Sequence, residues 1–247
     1  MSESPPLSLP SRLIAELPGP RPFPAPPEGA IKQEIFAQDG TFGAATGFAL
    51  ELAVMAFFAR ADRKARPNWL WVQDTASIRA EGRPFLAGLP PCLRDGMIHV
   101  AARQAKDVLF ALEEGVRCRD LAFVLGELDG NPRALDFTAS RRLAVASERH
   151  DVPLYLVRHR AISELSAARR RWRVGPAPSS PDPWDARAPG GVQWQAELFR
   201  ARDVAPGTWR GNFTTGWSRG HDHAASPPAV DLAADAGDRP LAANRAG

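Results

Sequence analysis

Five short apolar runs alternate with helical stretches between residues 30 and 158, and this alternation constrains the fold more than any other feature of the chain. The strand candidates are 31–36, 69–73, 97–100, 121–125 and 153–158, and the helical candidates are 44–60, 76–88, 104–117 and 137–149. Nearly all-apolar runs are typical of parallel strands that are covered on both faces. Because β-α units with right-handed crossovers build a doubly wound sheet, the sequence predicts an α/β fold, a mostly parallel sheet with helices on both faces.

The regions outside this alternation differ from it in composition. Residues 1–29 are rich in proline and are expected to be mostly extended, because proline fixes φ and removes a backbone donor. A Pro/Gly/Ser-rich loop spans 175–191, and 192–213 predicts a strand and a hairpin partner that extend the sheet in antiparallel fashion. The loop and the C-terminal strands belong, together with the alternating region, to one predicted domain, 30–217. Residues 218–247 have almost no large apolar side chains and are predicted to be a disordered tail.

The bulk composition is that of an ordinary globular chain. The 247 residues are 44% hydrophobic and 24% charged, and the formal net charge of +3 permits contact with nucleic acid without indicating it. Cys92 and Cys118 have no further ligand at metal-binding spacing, which predicts reduced thiols and no zinc site. The N-terminal segment lacks the pattern of a secretory signal, and the apolar run 48–58 is too short to span a bilayer. We therefore expect a cytoplasmic protein without membrane contact.

The segment FAQDGTFGAATGF, residues 36–48, stands where a phosphate-binding loop is found, after a strand and at the start of a helix. A working loop needs a lysine for the β- and γ-phosphates and a hydroxyl for magnesium. The aligned tripeptide here is Gly-Ala-Ala, and Asp39 adds a charge that repels a triphosphate. We expect a degenerate loop with no ATPase activity and no cofactor, the alternative being a glycine-eased turn that never bound phosphate. The residues of this loop are Asp39, Gly40, Gly43, Ala44 and Ala45.

Two acidic residues follow predicted strands, where a nucleotide-binding protein places its catalytic carboxylates. Glu127 stands two residues beyond the apolar run LAFVL, and Asp74 closes the strand WLWVQD. Each has an alternative interpretation, Glu127 as a solvated strand end and Asp74 as the N-cap of the next helix. His99 is placed at a strand end and His150 and His159 at exposed edges, all without a catalytic partner.

The segment AARRRWRV combines arginines with an interleaved tryptophan, which suits contact with phosphates and stacking on single-stranded bases. The candidate DNA-contacting residues are Arg169, Arg170, Arg171 and Arg173. In the alternative interpretation the segment is a strand, in which Trp172 and Val174 face the core and the arginines point outward.

Three tryptophans near the C-terminal end are candidates for contact with a partner protein, because aromatic anchors are enriched in interfaces. They are Trp184, Trp209 and Trp217. On this interpretation, deletion of the residues after about position 205 leaves the core folded and abolishes partner binding. In the alternative interpretation, Trp194 and Trp209 cover the edge of the sheet.

Taken in order, these stretches resemble the ImuA family over about residues 30–213. The specific part is the succession of LDFTASRRLAVASE, a strand that ends in LVR, RWRV-x-PAPS and WQAELFRAR. The resemblance implies a RecA-like fold in which the nucleotide site, a degenerate Walker A loop, has decayed. On this resemblance, the chain is expected to lack the extended N-terminal helical segment that longer family members carry ahead of residue 30.

The family resemblance also implies a function in DNA repair. ImuA proteins are RecA-like accessory proteins of SOS mutagenesis, which implies a non-catalytic scaffold of inducible translesion synthesis. The implied partners are an ImuB-type Y-family polymerase homologue and a DnaE2-type polymerase, and RecA and DNA are further candidate partners. Two alternatives stay open, a nucleotide-switched, ATP-binding recombinase paralogue and a DNA-binding modulator of recombinase filaments.

Overall fold

The structure is a computed structural model, which describes residues 22–38, 41, 43–60, 68–179, 184, 185, 188, 190–213 and 216–219, without the side chains of 217 and 219. The strands are β1 Lys32–Ala37, β2 Asn68–Asp74, β3 Met97–Ala102, β4 Leu121–Asp129, β5 Leu154–His159, β6 Arg170–Ala177, β7 Gln193–Ala201, β8 Gly207–Asn212 and β9 Gly216–Arg219. The helices are α1 Ala44–Phe58, α2 Thr75–Glu81, α3 Pro91–Arg94, α4 Ala105–Arg117 and α5 Phe137–His150, with a 3-10 turn at Leu86–Gly88.

The described strands form one sheet, in the order β3-β2-β4-β5-β1-β6-β7-β8-β9. The six strands from β3 to β6 in this order pair in parallel, and β7, β8 and β9 then pair in antiparallel fashion. The predicted mostly parallel sheet with an antiparallel C-terminal extension is therefore confirmed. Strand β9 reaches Arg219, and the remainder of the predicted tail lies outside the described residues.

Helices cover both faces of the sheet, as the sequence predicts. Side chains of β2 alternate between two apolar clusters, because successive residues of a strand point to opposite faces. Trp69 belongs to the cluster around α1, and Val72 belongs to the cluster under α4 and α5. Helix α1 is rich in alanine and apolar along most of its length, which suits a helix packed closely on the sheet.

Three boundaries differ from the sequence prediction. The predicted helix 76–88 ends at Glu81, because Gly82 adopts a left-handed φ of 86° and Pro84 follows two residues later. Strand β4 continues to Asp129 instead of ending at 125, so Glu127 lies inside a strand. The segment RRWRVGPA forms β6, which the alternation of apolar runs did not reveal. Among the described residues, no helix is long and apolar enough to cross a lipid bilayer.

Candidate functional site

The loop after β1 leads to the N-terminus of α1 at the edge where the parallel strands end. The Gln38 N–H donates to the Val174 oxygen at 2.9 Å, and the Thr41 hydroxyl donates to the Gln38 oxygen at 2.5 Å. Gly43 has a φ of 73°, a left-handed value that favours glycine, and no side chain caps α1. Asp39 and Gly40 of the predicted loop lie outside the described residues. The chain therefore enters α1 through a glycine turn, as a phosphate-binding loop does.

A carboxylate of the chain itself contacts this turn. Glu81 Oε2 accepts a hydrogen bond of 3.1 Å from the Gly43 N–H. Backbone N–H groups at a helix N-terminus are where nucleotide-binding proteins hold a phosphate, so Glu81 supplies negative charge at the corresponding position. Ala44 brings no charge to the turn, and Ala45 is buried in the apolar cluster around α1. Neither alanine can perform the work of the lysine or the hydroxyl of a working loop.

Glu127 is buried and fully hydrogen-bonded, so its interpretation as a solvated strand end is wrong. Its Oε1 accepts from the Thr46 hydroxyl at 2.9 Å, and its Oε2 accepts from Gln73 Nε2 at 2.9 Å. The same Gln73 nitrogen donates to the Gly82 oxygen at 3.1 Å, and Gln73 Oε1 lies 2.9 Å from His99 Nε2. The carboxylate therefore ties together α1, β2 and β4.

His159 is buried at the end of β5, so its predicted place at an exposed edge is wrong. Its Nε2 lies 3.4 Å from Glu127 Oε2, and its Nδ1 lies 3.6 Å from Glu81 Oε1. Burial alone would lower the pKa of His159, but the hydrogen bond to Glu127 and the charges of Glu127 and Glu81 raise it above its ordinary value. The imidazole thus lies between the two carboxylates of this cluster, which favour its protonated form.

Asp74 closes β2 and caps the next helix. Its Oδ1 accepts from the Ser77 N–H at 2.6 Å, the geometry of an N-cap. Asp74 therefore acts as the N-cap of α2, as the alternative interpretation predicts. In the described part of the chain, no group of three or more histidine, cysteine, aspartate or glutamate side chains is arranged to hold a metal ion.

The four candidate arginines are each paired inside the chain. Arg169 binds both oxygens of Glu148, at 2.6 and 2.7 Å, and Arg173 pairs with Glu197. Arg170 and Arg171 are buried, so the idea that they point outward is wrong. The reason is their pairing, because Arg170 binds Asp203 at 2.6 Å and Arg171 binds Glu34 at 3.0 Å. Trp172 and Val174 face the α1 cluster, as the strand interpretation predicts.

A second buried polar cluster lies beneath α5 and was not found from the sequence. Glu34 Oε1 accepts from Lys32 Nζ and from the Ser166 hydroxyl, both at 2.6 Å, while Oε2 accepts from Arg171. Burial alone would raise the pKa of Glu34, but Lys32, Ser166 and Arg171 together lower it to about 2. The alternating charges of KQEIF, inside an otherwise apolar strand, are the signal that could have revealed this cluster.

The tryptophans proposed as partner contacts have different surroundings. Trp209 is buried, with its ring centroid 5.8 Å from that of Phe23 and 6.2 Å from that of Trp172, so it is a core residue instead of an interface anchor. Deletion after about position 205 would remove this core residue, so we expect that deletion to destabilise the core. Trp184 is 94% exposed, and the Trp217 side chain lies outside the described residues.

Comparison with known proteins gives relatives for part of the chain. No protein-family model matches it. Two curated proteins, each called Protein ImuA, come from Caulobacter vibrioides strains NA1000 / CB15N and ATCC 19089 / CIP 103742 / CB 15; each is 34% identical over 152 residues. The match covers 57% of this chain and 58% of each relative, less than two thirds of their length. The resemblance to the ImuA family is thereby confirmed.

Proposed function

We propose that this chain, a relative of the ImuA proteins, is a non-catalytic accessory protein of damage-induced mutagenesis. It acts through protein contacts with an ImuB-type polymerase homologue and a DnaE2-type polymerase in translesion synthesis. One observation supports a non-catalytic role above all others. The polar groups around the loop satisfy one another, with Glu81 on the Gly43 N–H and Glu127 held by Thr46, Gln73 and His159.

Electrostatics at this cluster oppose phosphoryl transfer. The reaction needs cations near the β- and γ-phosphates, where negative charge is spread in the transition state. Here Glu81 and Glu127 contribute two carboxylates near the loop, and among the described residues His159 is the one basic side chain that contacts both of them. A triphosphate would have to displace Glu81 from Gly43 and then lie beside a second carboxylate. The arrangement holds elements together instead of stabilising a phosphoryl group.

The first test is a titration of the full chain with labelled ATP and ADP in the presence of magnesium. The matched variant combines Ala44→Lys with Glu81→Gln, which restores a cation and removes a competing charge at the loop. We expect no saturable binding to the wild-type chain up to millimolar nucleotide. Micromolar binding to the wild type would contradict the proposal and favour a nucleotide-switched recombinase paralogue.

The second test concerns the partners. The full chain is used to capture a co-expressed ImuB-type homologue from the same organism, with and without ATP and magnesium. We expect capture that does not depend on nucleotide. Capture that requires ATP would contradict the non-catalytic role, and absence of capture by a correctly folded chain would contradict the proposed partner.

A further inference from the structure

A basic groove runs between α4 and α5, on the side of these helices that faces away from the sheet. It has a volume of about 380 Å³. We call it the α4–α5 groove, and its lining residues are Glu113, Arg117, Thr138, Arg141, Arg142, Val145, Ala146, Arg149 and His150. None of them belongs to the loop, to the two polar clusters or to the C-terminal strands. The groove is therefore a surface separate from the site considered above.

The groove is lined mainly by positively charged side chains. Its lining contains four arginines and a single carboxylate, Glu113. Glu113 bridges Arg117 and Arg142, each at 2.6 Å, and Arg117 also pairs with Glu114 just outside the lining. Arg141 and Arg149 are exposed and form no ion pair with any residue that the structure describes. These two guanidinium groups carry the positive charge that the chain leaves uncompensated here.

An apolar position separates the two uncompensated arginines. Arg141 and Arg149 are eight residues apart on α5, which corresponds to about 12 Å at 1.5 Å per residue. Val145 lies midway between them and is 54% exposed. Phe110 on α4 is 68% exposed and lies one turn before Glu113 and Glu114. The helix pair thus exposes apolar surface between and beside its cations.

We propose that the α4–α5 groove docks an acidic amphipathic helix of a partner protein. A helix lying along α5 would place two carboxylates, about two turns apart, against Arg141 and Arg149. An apolar residue midway between those carboxylates would cover Val145. A phosphodiester backbone fits less well, because it offers nothing to cover Val145 and would lie beside the Glu113 carboxylate. The partner is therefore recognised by an acidic–apolar–acidic pattern with helical spacing.

The probe is a fluorescein-labelled, helix-stapled synthetic peptide with glutamates two turns apart and a leucine midway, titrated with the full chain and followed by anisotropy. We expect saturable binding that Arg141→Glu with Arg149→Glu weakens by about tenfold or more. The matched control, Arg79→Glu with Arg103→Glu, carries the same change of net charge at exposed arginines outside the groove and keeps wild-type affinity. A peptide with lysines in place of the glutamates should bind the groove variant and not the wild type. Circular dichroism and Tm verify that both variants are folded.

Each other outcome contradicts the proposal. Absence of binding to the wild-type chain at millimolar peptide excludes an acidic helix as the occupant. Equal loss of affinity in the control variant shows that net charge, and not the groove, attracts the peptide. Binding of single-stranded dT oligonucleotide that the groove variant alone abolishes, without binding of the acidic peptide, assigns the groove to nucleic acid instead.

Discussion

The Glu81 carboxylate accepts a 3.1 Å hydrogen bond from the backbone N–H of Gly43, 38 positions away in the chain. Its other oxygen lies 3.6 Å from His159 Nδ1 at the end of β5. Glu81, at the end of α2, therefore connects the turn before α1 with the end of β5. In this way the chain supplies its own anion where a nucleotide-binding protein would hold a phosphate.

Replacement of Glu81 by glutamine tests this link. We expect Glu81→Gln to lower the pKa of His159, because the negative charge of Glu81 is one of the factors that raise it, while the burial that lowers it remains. The measurement is an NMR titration of the His159 imidazole. Glu28→Gln is the control, because Glu28 is exposed and precedes the opposite end of β1, and it should leave the titration unchanged. An unchanged His159 pKa in Glu81→Gln would show that the two side chains do not interact in solution.

Stability should depend on pH through His159. Its pKa in the folded state is raised above 6.5, so its stabilising contribution is complete below pH 6.5 and is lost as the pH rises through the folded-state pKa. The free energy of unfolding of the wild type minus that of His159→Gln should therefore decrease as the pH rises from 6.5.

His99 provides the contrast for this measurement. Burial and the charge of Arg83 lower the pKa of His99, so its contribution has the opposite sign and is lost as the pH falls below 6.5. The difference between the wild type and His99→Gln should accordingly fall towards acid pH. Parallel slopes for the two variants would be incompatible with an imidazolium held between Glu81 and Glu127.

The fold could be predicted from the sequence because its strands are local apolar runs. Strands β2 to β5 each contain such a run, and parallel strands buried on both faces need one. Strand β6 was predicted only as the alternative interpretation of AARRRWRV, since the charges of RRRWRV look exposed until their partners are known. Arg170 pairs with Asp203, 33 residues away, and Arg171 with Glu34, 137 residues away. At that distance the local sequence does not show which residues pair.

The candidate site was predicted only in part, for a related reason. Glu127 was found because it follows an apolar run, and the missing lysine was visible in the loop itself. Glu81 was not found, and His159 was placed at an exposed edge, because neither local sequence shows the partners that these side chains contact. The contact of Glu81 with Gly43 and the contacts of His159 with Glu81 and Glu127 depend on four chain segments that meet only in the folded structure.

The buried cluster around Glu34 should be a major source of stability. Glu34→Gln leaves Lys32 and Arg171 buried beside a neutral amide, and the loss of one partner of a buried ion pair typically costs about 3–5 kcal/mol. Chemical denaturation measures this change. The control is Glu114→Gln, which removes an exposed ion pair with Arg117 and should change stability little.

The wild-type chain offers an independent measurement of the same cluster. The pKa of Glu34 is lowered to about 2 in the folded state, so its contribution is complete above the unfolded value of 4.5 and is lost as the pH falls towards 2. An NMR titration of the Glu34 carboxyl that gave an ordinary pKa would contradict the buried pairing, even if Glu34→Gln did not fold.

Substitutions of two tryptophans should distinguish a core position from an exposed position by their effects on stability. Trp209 packs with Phe23 and Trp172, so Trp209→Ala should lower the free energy of unfolding by about 3–5 kcal/mol, as large-to-small changes at buried aromatic residues do. Trp184 is 94% exposed, so Trp184→Ala should change stability by no more than about 0.5 kcal/mol.

Chemical denaturation of both variants, followed by capture of an ImuB-type homologue, is the measurement. If Trp184→Ala is as stable as the wild type and loses capture, Trp184 is an interface residue; if it keeps full capture, its assignment to the interface is wrong. A small effect of Trp209→Ala on stability would contradict the packing of β8 against the α1 cluster.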